Sequence, residues 1–457
     1  MDPVLLARIQ FAFTIGFHFI FPPLTIGMAW IIFWFMHRYR RTGDPAYAAQ
    51  ARFWSKLFAI SFVVGVATGI TMEFQSGTNW AEFARFAGSM AGGPLAAEGV
   101  LAFFLESTFV GVLLFGWGRF SDRVLWLASL LVAAGATLSG FMIIVVNSWM
   151  QTPAGFEIDP VTGRAVLTDF WAAVFNPSTV PRFLHTIDAA IITGAFFVMG
   201  ISAWYLCKGR FEDFARRSLK VALVFAFLAS ALQIQLGHFH GHQVWKEQPI
   251  KMAAFEGLFE TERNPTLMIF GIIDPEERKV HFPIGIPNFM SIFLDFNPDT
   301  VIQGLNEFPE ENWPPLPLVF YPFHLMTLLG FYFAGLTGLG VLLLWRGKLF
   351  SSRWFLTLAY LSIPLPILAN ELGWVAAEVG RQPWVVYGVE SMRTALAASP
   401  AVSAGEILAS LIMFAIVYAL MFVLWLFLLG KAISKGPDSL GGESPSQLAG
   451  DQAEVVG

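Results

Sequence analysis

The sequence predicts an all-α integral membrane protein, a bundle of nine transmembrane helices with the N-terminus outside and the C-terminus inside. Three observations predict it. Hydrophobic residues make up 56% of the 457 positions and charged ones only 13%, where a soluble domain carries about 25% charged residues. The mean hydropathy is +0.61. Apolar stretches recur at lengths that cross about 30 Å of hydrocarbon. An open sheet would leave its edges unpaired in lipid, whereas a helix satisfies its own backbone, so the spans are helical.

Taken in order, the apolar stretches lie at 10–36, 53–75, 95–117, 124–147, 183–207, 218–238, 317–345, 354–375 and 406–430. Short basic loops follow alternate stretches. Arg38, Arg40, Arg41 and Arg52 follow the first, Arg119 and Arg123 the third, and Lys208, Arg210, Arg216, Arg217 and Lys220 the fifth. Arg346, Lys348 and Arg353 follow the seventh, and Lys431 and Lys435 the ninth. The positive-inside rule assigns these loops to the cytoplasm, and the alternation supports the count.

This divides the chain into a six-helix part (1–238), an external segment (239–316), a three-helix part (317–435) and a polar tail (436–457) that reads as disordered. Structureless loops as long as the external segment are uncommon unless functional. One cysteine, Cys207, excludes an internal disulfide and a thiolate-held cluster. No basic domain points to nucleic acid. Gly88–Gly93 lacks the Lys-Ser/Thr of a phosphate loop. The first apolar stretch is too long for a signal peptide and lacks its flanks.

Ionisable groups in a bilayer are costly and mark function. His18, Glu98, His185, Met326 and Glu378 all fall toward the outer ends of their helices. His and Met together hold low-spin haem iron, and no cysteine offers an alternative. Each has a plainer role when taken singly. A membrane histidine hydrogen-bonds a neighbouring helix, a methionine fills gaps, and Glu378 pairs with Arg381. Their clustering with Trp374 and many Phe favours a haem protein.

Glu98 and Glu106 are eight residues apart, a spacing that puts them on one helical face about 12 Å apart along the axis. Ser107 sits beside the second, and Ser139 and Asn147 on the fourth helix continue a polar line suited to proton relay. In GHFHGH, His238 and His242 share a face, but Gly237 and Gly241 suggest a fraying helix end. A substrate-site or solvated role suits these histidines better than a metal.

These residues carry a family resemblance. GRQPW (Gly380–Trp384) within ELGWVAAEVGRQPW, PLAAEGVLAFFLESTFVG (Pro94–Gly111), ARIQF…HFIFPPLTIG and KMAAFEG (Lys251–Gly257) resemble subunit I of the cytochrome bd-type quinol oxidases, including the short-loop, cyanide-insensitive branch. The resemblance runs to Gly430. It implies two haems b, one low-spin and one high-spin, and a third high-spin haem, d or b. His185 and Met326 look like the low-spin axial ligands, and His18 and Glu378 like those of the high-spin pair. Trp374 would lie between haems and Arg381 near their propionates. Lys251 and Glu256 match the quinol-loop residues, and Glu98, Glu106, Ser107 and Ser139 the proton path.

The resemblance further implies ubiquinol or menaquinol and O2 as substrates, a second large subunit, small single-helix subunits, and the bacterial inner membrane. Where well-known members carry Arg two residues before the Met ligand, this chain has His324. Losing a fixed positive charge there alters the haem's potential. Two rivals are a proton-coupled transporter, which predicts inverted repeats that are not found, and a haem-b anchor. The anchor leaves His18 and Glu378 unexplained.

Overall fold

The computed structural model describes residues 2–437, apart from the side chains of Leu101 and Ala102. The tail expected to be disordered lies beyond residue 437, outside the described residues. Among the described residues, nine helices are long and apolar enough to cross a membrane. The first span is α1 (Pro3–Phe19) and α2 (Phe21–Thr42), and the second is α3 (Pro45–Thr78). The third is α4 (Ala81–Ala97), a π-helical segment (Glu98–Phe103) and α5 (Phe104–Phe115), and the fourth is α6 (Asp122–Gln151). A hairpin of β1 (Phe156–Ile158) and β2 (Ala165–Leu167) and a short α7 (Phe170–Val174) precede the fifth span, α8 (Thr179–Cys207).

The sixth span, α9, runs from Glu212 to Glu247, so helix continues nine residues past the expected end at 238 and GHFHGH is helical. Then come α10 (Pro249–Glu256), β3 (Glu262–Arg263), β4 (Leu267–Asp274), β5 (Lys279–Ile286), α11 (Met290–Asp295) and β6 (Val301–Ile302). The seventh span is α12 (Leu316–Trp345) and the eighth is α13 (Arg353–Leu361) with α14 (Leu365–Val379). After α15 (Thr394–Ala397), α16 (Ala404–Lys435) is the ninth.

The breaks have local causes. Asp2 caps α1 by accepting from the Val4 N–H at 2.9 Å, and Ser403 with Glu406 forms a capping box on α16. Pro22 and Pro23 lack the N–H a continuous helix needs, so the first span is interrupted at Ile20. Pro364 and Pro366 break the eighth in the same way. Pro94 precedes the π-helical segment, a register change common at functional sites.

The bundle core is apolar and centred on α2, α3, α8 and α9. Gly27 and Gly194 let α2 and α8 touch backbone to backbone; a β-carbon on Gly27 would fall 2.1 Å from the Ala190 carbonyl. A smaller core lies where α10 and α11 pack beside α9, α12 and β4. Strands β4 and β5 pair antiparallel from Leu267↔Ile286 to Asp274↔Lys279. Among the described residues the fold is otherwise all-α, and the six strands lie in the connections between spans.

Candidate functional site

The candidate ligands fall on two sides of α14. Its Gly373 faces α12, where a β-carbon would lie 2.7 Å from Met326 Sδ. Glu378 points elsewhere, toward α6 and α8. Its Oε1 accepts from Asn147 Nδ2 at 3.1 Å and Gln151 Nε2 at 3.0 Å, and stands 3.5 Å from Arg182. Its Oε2 pairs with Arg381 at 2.6 Å. Arg182 also donates to Asn147 Oδ1. Trp374 lies one turn before Glu378 on the same helix.

Asn147 therefore joins Glu378 rather than continuing the Ser139 line. Arg182 and Gln151 were not singled out from sequence. The available signals were polar residues spaced by four at the end of a span (Asn147, Gln151) and an arginine three before His185.

His185 on α8 faces α9. Gln233 Nε2 lies 3.3 Å from its Nε2 and donates to its carbonyl at 3.1 Å, and the His240 ring centroid is 5.4 Å away. His185 Nδ1 is buried without a partner. His18, in the last turn of α1, shares a 2.9 Å hydrogen bond between its Nδ1 and Thr68 Oγ1. His238 packs against Phe293 and Phe296, and His242 Nδ1 donates to the Leu294 carbonyl at 2.7 Å. These two histidines secure α11 while His240 turns to His185, so GHFHGH divides between two neighbours.

Lys251 and Glu256 lie on α10 in the segment after α9, but neither is at a surface. Lys251 is 1% exposed. Its Nζ donates to Gln248 Oε1 at 2.7 Å and to Gln151 Oε1, and its stem lies against Gly380 of GRQPW. Burial, reinforced by Arg182, holds its ammonium well below the usual lysine value, with Glu378 opposing. Glu256, 5% exposed, faces the other way and accepts from the Met268 N–H at 3.0 Å. Burial pushes its carboxyl up to about 8, against that hydrogen bond. His324 is buried beside the same Met268 peptide and donates from Nδ1 to the Phe320 carbonyl at 2.9 Å.

Glu98 and Glu106 both face α6. Ser139 Oγ donates to Glu98 Oε1 at 2.7 Å, and a β-carbon on Gly135 would lie 3.4 Å from Glu106 Cβ. Their counterparts on α6 are four residues apart, about 6 Å of helix. A π-helical segment, Glu98–Phe103, separates them, so the stretch between the two glutamates is not regular α-helix. Ser107 bonds its own helix, donating to the Phe104 carbonyl at 3.4 Å.

The donor set suits haem. Among the described residues, His185 Nδ1 is an orphaned buried ring nitrogen, and Arg381 Nε, Arg381 Nη1 and Arg182 Nε are buried donors without partners, as propionate carboxylates require. Among the described residues, nine apolar helices with half-buried imidazole, thioether and carboxylate groups between them describe a polytopic membrane protein. Residues 6–437 match the family model for cytochrome bd terminal oxidase subunit I, and the chain belongs to that family.

Among its relatives, cytochrome bd ubiquinol oxidase subunit 1 of Bacillus subtilis (strain 168) is 39% identical over 450 residues, covering 96% of this chain and 95% of that protein. Cytochrome bd-II ubiquinol oxidase subunit 1 of Escherichia coli (strain K12) is 35% identical over 515 positions, covering 98% and 100%. The structure is similar to that of the bd oxidase from Geobacillus thermodenitrificans, with a TM-score of 0.88 and 33% identity over 95% of this chain and 99% of that one. The chain is thus a multi-pass protein of the bacterial inner membrane.

Proposed function

We propose that this chain is the catalytic subunit of a terminal respiratory oxidase that oxidises quinol and reduces O2 to water, and that it generates proton motive force without pumping. The observation that carries the reading is the hydrogen-bonded path from Lys251 through Gln151 to Glu378. It joins the helix expected to receive quinol to a carboxylate expected to hold haem. Haem, when bound, supplies the one-electron transfers and the iron at which O2 is reduced.

His185 and Met326 would hold a low-spin haem b, and His18 and Glu378 a high-spin haem b and a third haem, d or b. Arg381 and Arg182 would neutralise propionates, and Trp374 would stand between haems. On α10, Lys251 orients one quinol oxygen, and Glu256, once ionised, accepts a quinol proton. Ser139 holds the Glu98 carboxylate toward α6, and Glu106 receives protons from the cytoplasmic side and passes them on. Because quinol protons leave on the opposite side, each turnover separates charge. The basic loops set this orientation, N-terminus outside and C-terminus inside.

The substrate is ubiquinol or menaquinol. The partners are a second large subunit and small single-helix subunits. A reduced-minus-oxidised spectrum of the purified complex tests the reading: low-spin and high-spin haem bands together support it. Low-spin bands alone would leave an electron-passing anchor, and no haem bands a transporter.

A further inference from the structure

Spans one and two are joined face to face by three polar rungs. Gln10 pairs with Asn79, Gln75 Nε2 donates to Thr14 Oγ1 at 2.8 Å, and His18 Nδ1 meets Thr68 Oγ1 at 2.9 Å. On α1 the rungs recur every four residues, so they lie on one face. Gln10, Thr14, Thr68 and Gln75 are all buried. The two outer rungs fix the register of α1 against α3, and the third ends on a candidate haem ligand.

The third rung also has a chemical direction. Thr68 Oγ1 lies 2.9 Å from the Val64 carbonyl and 3.0 Å from the Gly65 carbonyl. Its single hydroxyl hydrogen is spent on its own helix, which leaves a lone pair for the imidazole. Nδ1 therefore carries the proton, and Nε2 keeps its lone pair. Nε2 takes no part in that bond. Gly69 closes the cradle, since a β-carbon there would lie 3.2 Å from His18 Cε1.

We propose that Thr68 is a positioning residue for His18: by accepting the Nδ1 proton against the Gly69 notch, it selects the tautomer and ring orientation that offer Nε2 to haem iron. This rests on the reading of His18 as a haem ligand. A ligating imidazole whose other nitrogen donates a hydrogen bond is more basic and is held in one orientation.

The test uses the whole oxidase complex carrying Thr68→Val, Thr68→Ser or His18→Ala. Haem content, the midpoint potential of the high-spin haems and the iron–imidazole stretching band in resonance Raman spectra are read for each. Thr68→Val keeps the shape and removes the acceptor. It is expected to raise one high-spin potential and lower the stretching frequency, or to lose that haem. Thr68→Ser is expected to restore both readouts, and His18→Ala to lose one high-spin haem. Unchanged potential and stretching band in Thr68→Val, or a Thr68→Ser variant no better than Thr68→Val, overturns the role of the Thr68 hydroxyl while the ligand reading stands. Full high-spin haem content in His18→Ala overturns the ligand reading, and this inference with it.

Discussion

Lys251 and Glu378 share one partner. Gln151 accepts from Lys251 Nζ on its amide oxygen and donates to Glu378 Oε1 at 3.0 Å from its amide nitrogen. The same oxygen also accepts from Gln248 Nε2 at 3.1 Å. A buried ammonium and a buried carboxylate are thereby held in register by a neutral side chain at the end of α6, which fixes the orientation of the amide.

Gln151→Leu leaves Lys251 with Gln248 as its remaining acceptor and takes one donor from Glu378. Outer-shell losses of this kind cost about 10–100-fold in activity. We expect a fall of that size in steady-state quinol oxidation, with the low-spin haem spectrum retained. Turnover at the parental rate would show that the path through Gln151 is structural.

Glu256 sets a pH dependence with a definite sign. Its carboxyl, pushed up to about 8, is mostly neutral at pH 7 and becomes a competent base only as pH rises through that value. The kcat/KM for quinol should therefore climb toward a plateau above about pH 8. Glu256→Gln should lower kcat/KM about 10²-fold or more and flatten the profile. A flat profile in the unmodified enzyme counts against Glu256 as the base.

Glu106→Leu should slow O2 reduction about 10²-fold in single-turnover measurements on pre-reduced enzyme, a step that bypasses quinol. Glu106→Asp keeps a titratable group against Gly135 and should retain part of the rate. Ser139→Ala removes the 2.7 Å bond to Glu98 and should slow the same step by up to about tenfold. Proton uptake at the normal rate in Glu106→Leu would assign that residue to packing.

His185→Ala and Met326→Leu should each remove the low-spin haem signal and abolish quinol oxidation while the helical content is unchanged by circular dichroism. A normal low-spin spectrum in either variant would reassign the ligands.

The nine spans and the basic ends were legible in the sequence because burial in lipid is dictated one segment at a time. Each stretch meets the hydrocarbon on its own, and its length and charge suffice to place it. The candidate site residues were legible for the same reason, since His18, His185, Glu98, Glu106 and Glu378 are conspicuous in an apolar background. Which of them meet was decided by tertiary structure. Asn147 lies on the same helix as Ser139, yet the packing of α6 beside α8 and α14 gives it to Glu378 and Arg182. Eight residues of regular helix would have separated Glu98 from Glu106 by about 12 Å, but part of that stretch is π-helical, and their contacts on α6 fall one turn apart, at Ser139 and Gly135. Lys251 fell in the external segment of the sequence; the docking of α10 against Gly380 and Gln151 makes it a buried hydrogen-bond donor. Local patterning settles what each segment is, because its dominant partner is solvent or lipid. Contacts between segments set the site, because a hydrogen bond depends on where a second helix lies to within a few tenths of an ångström.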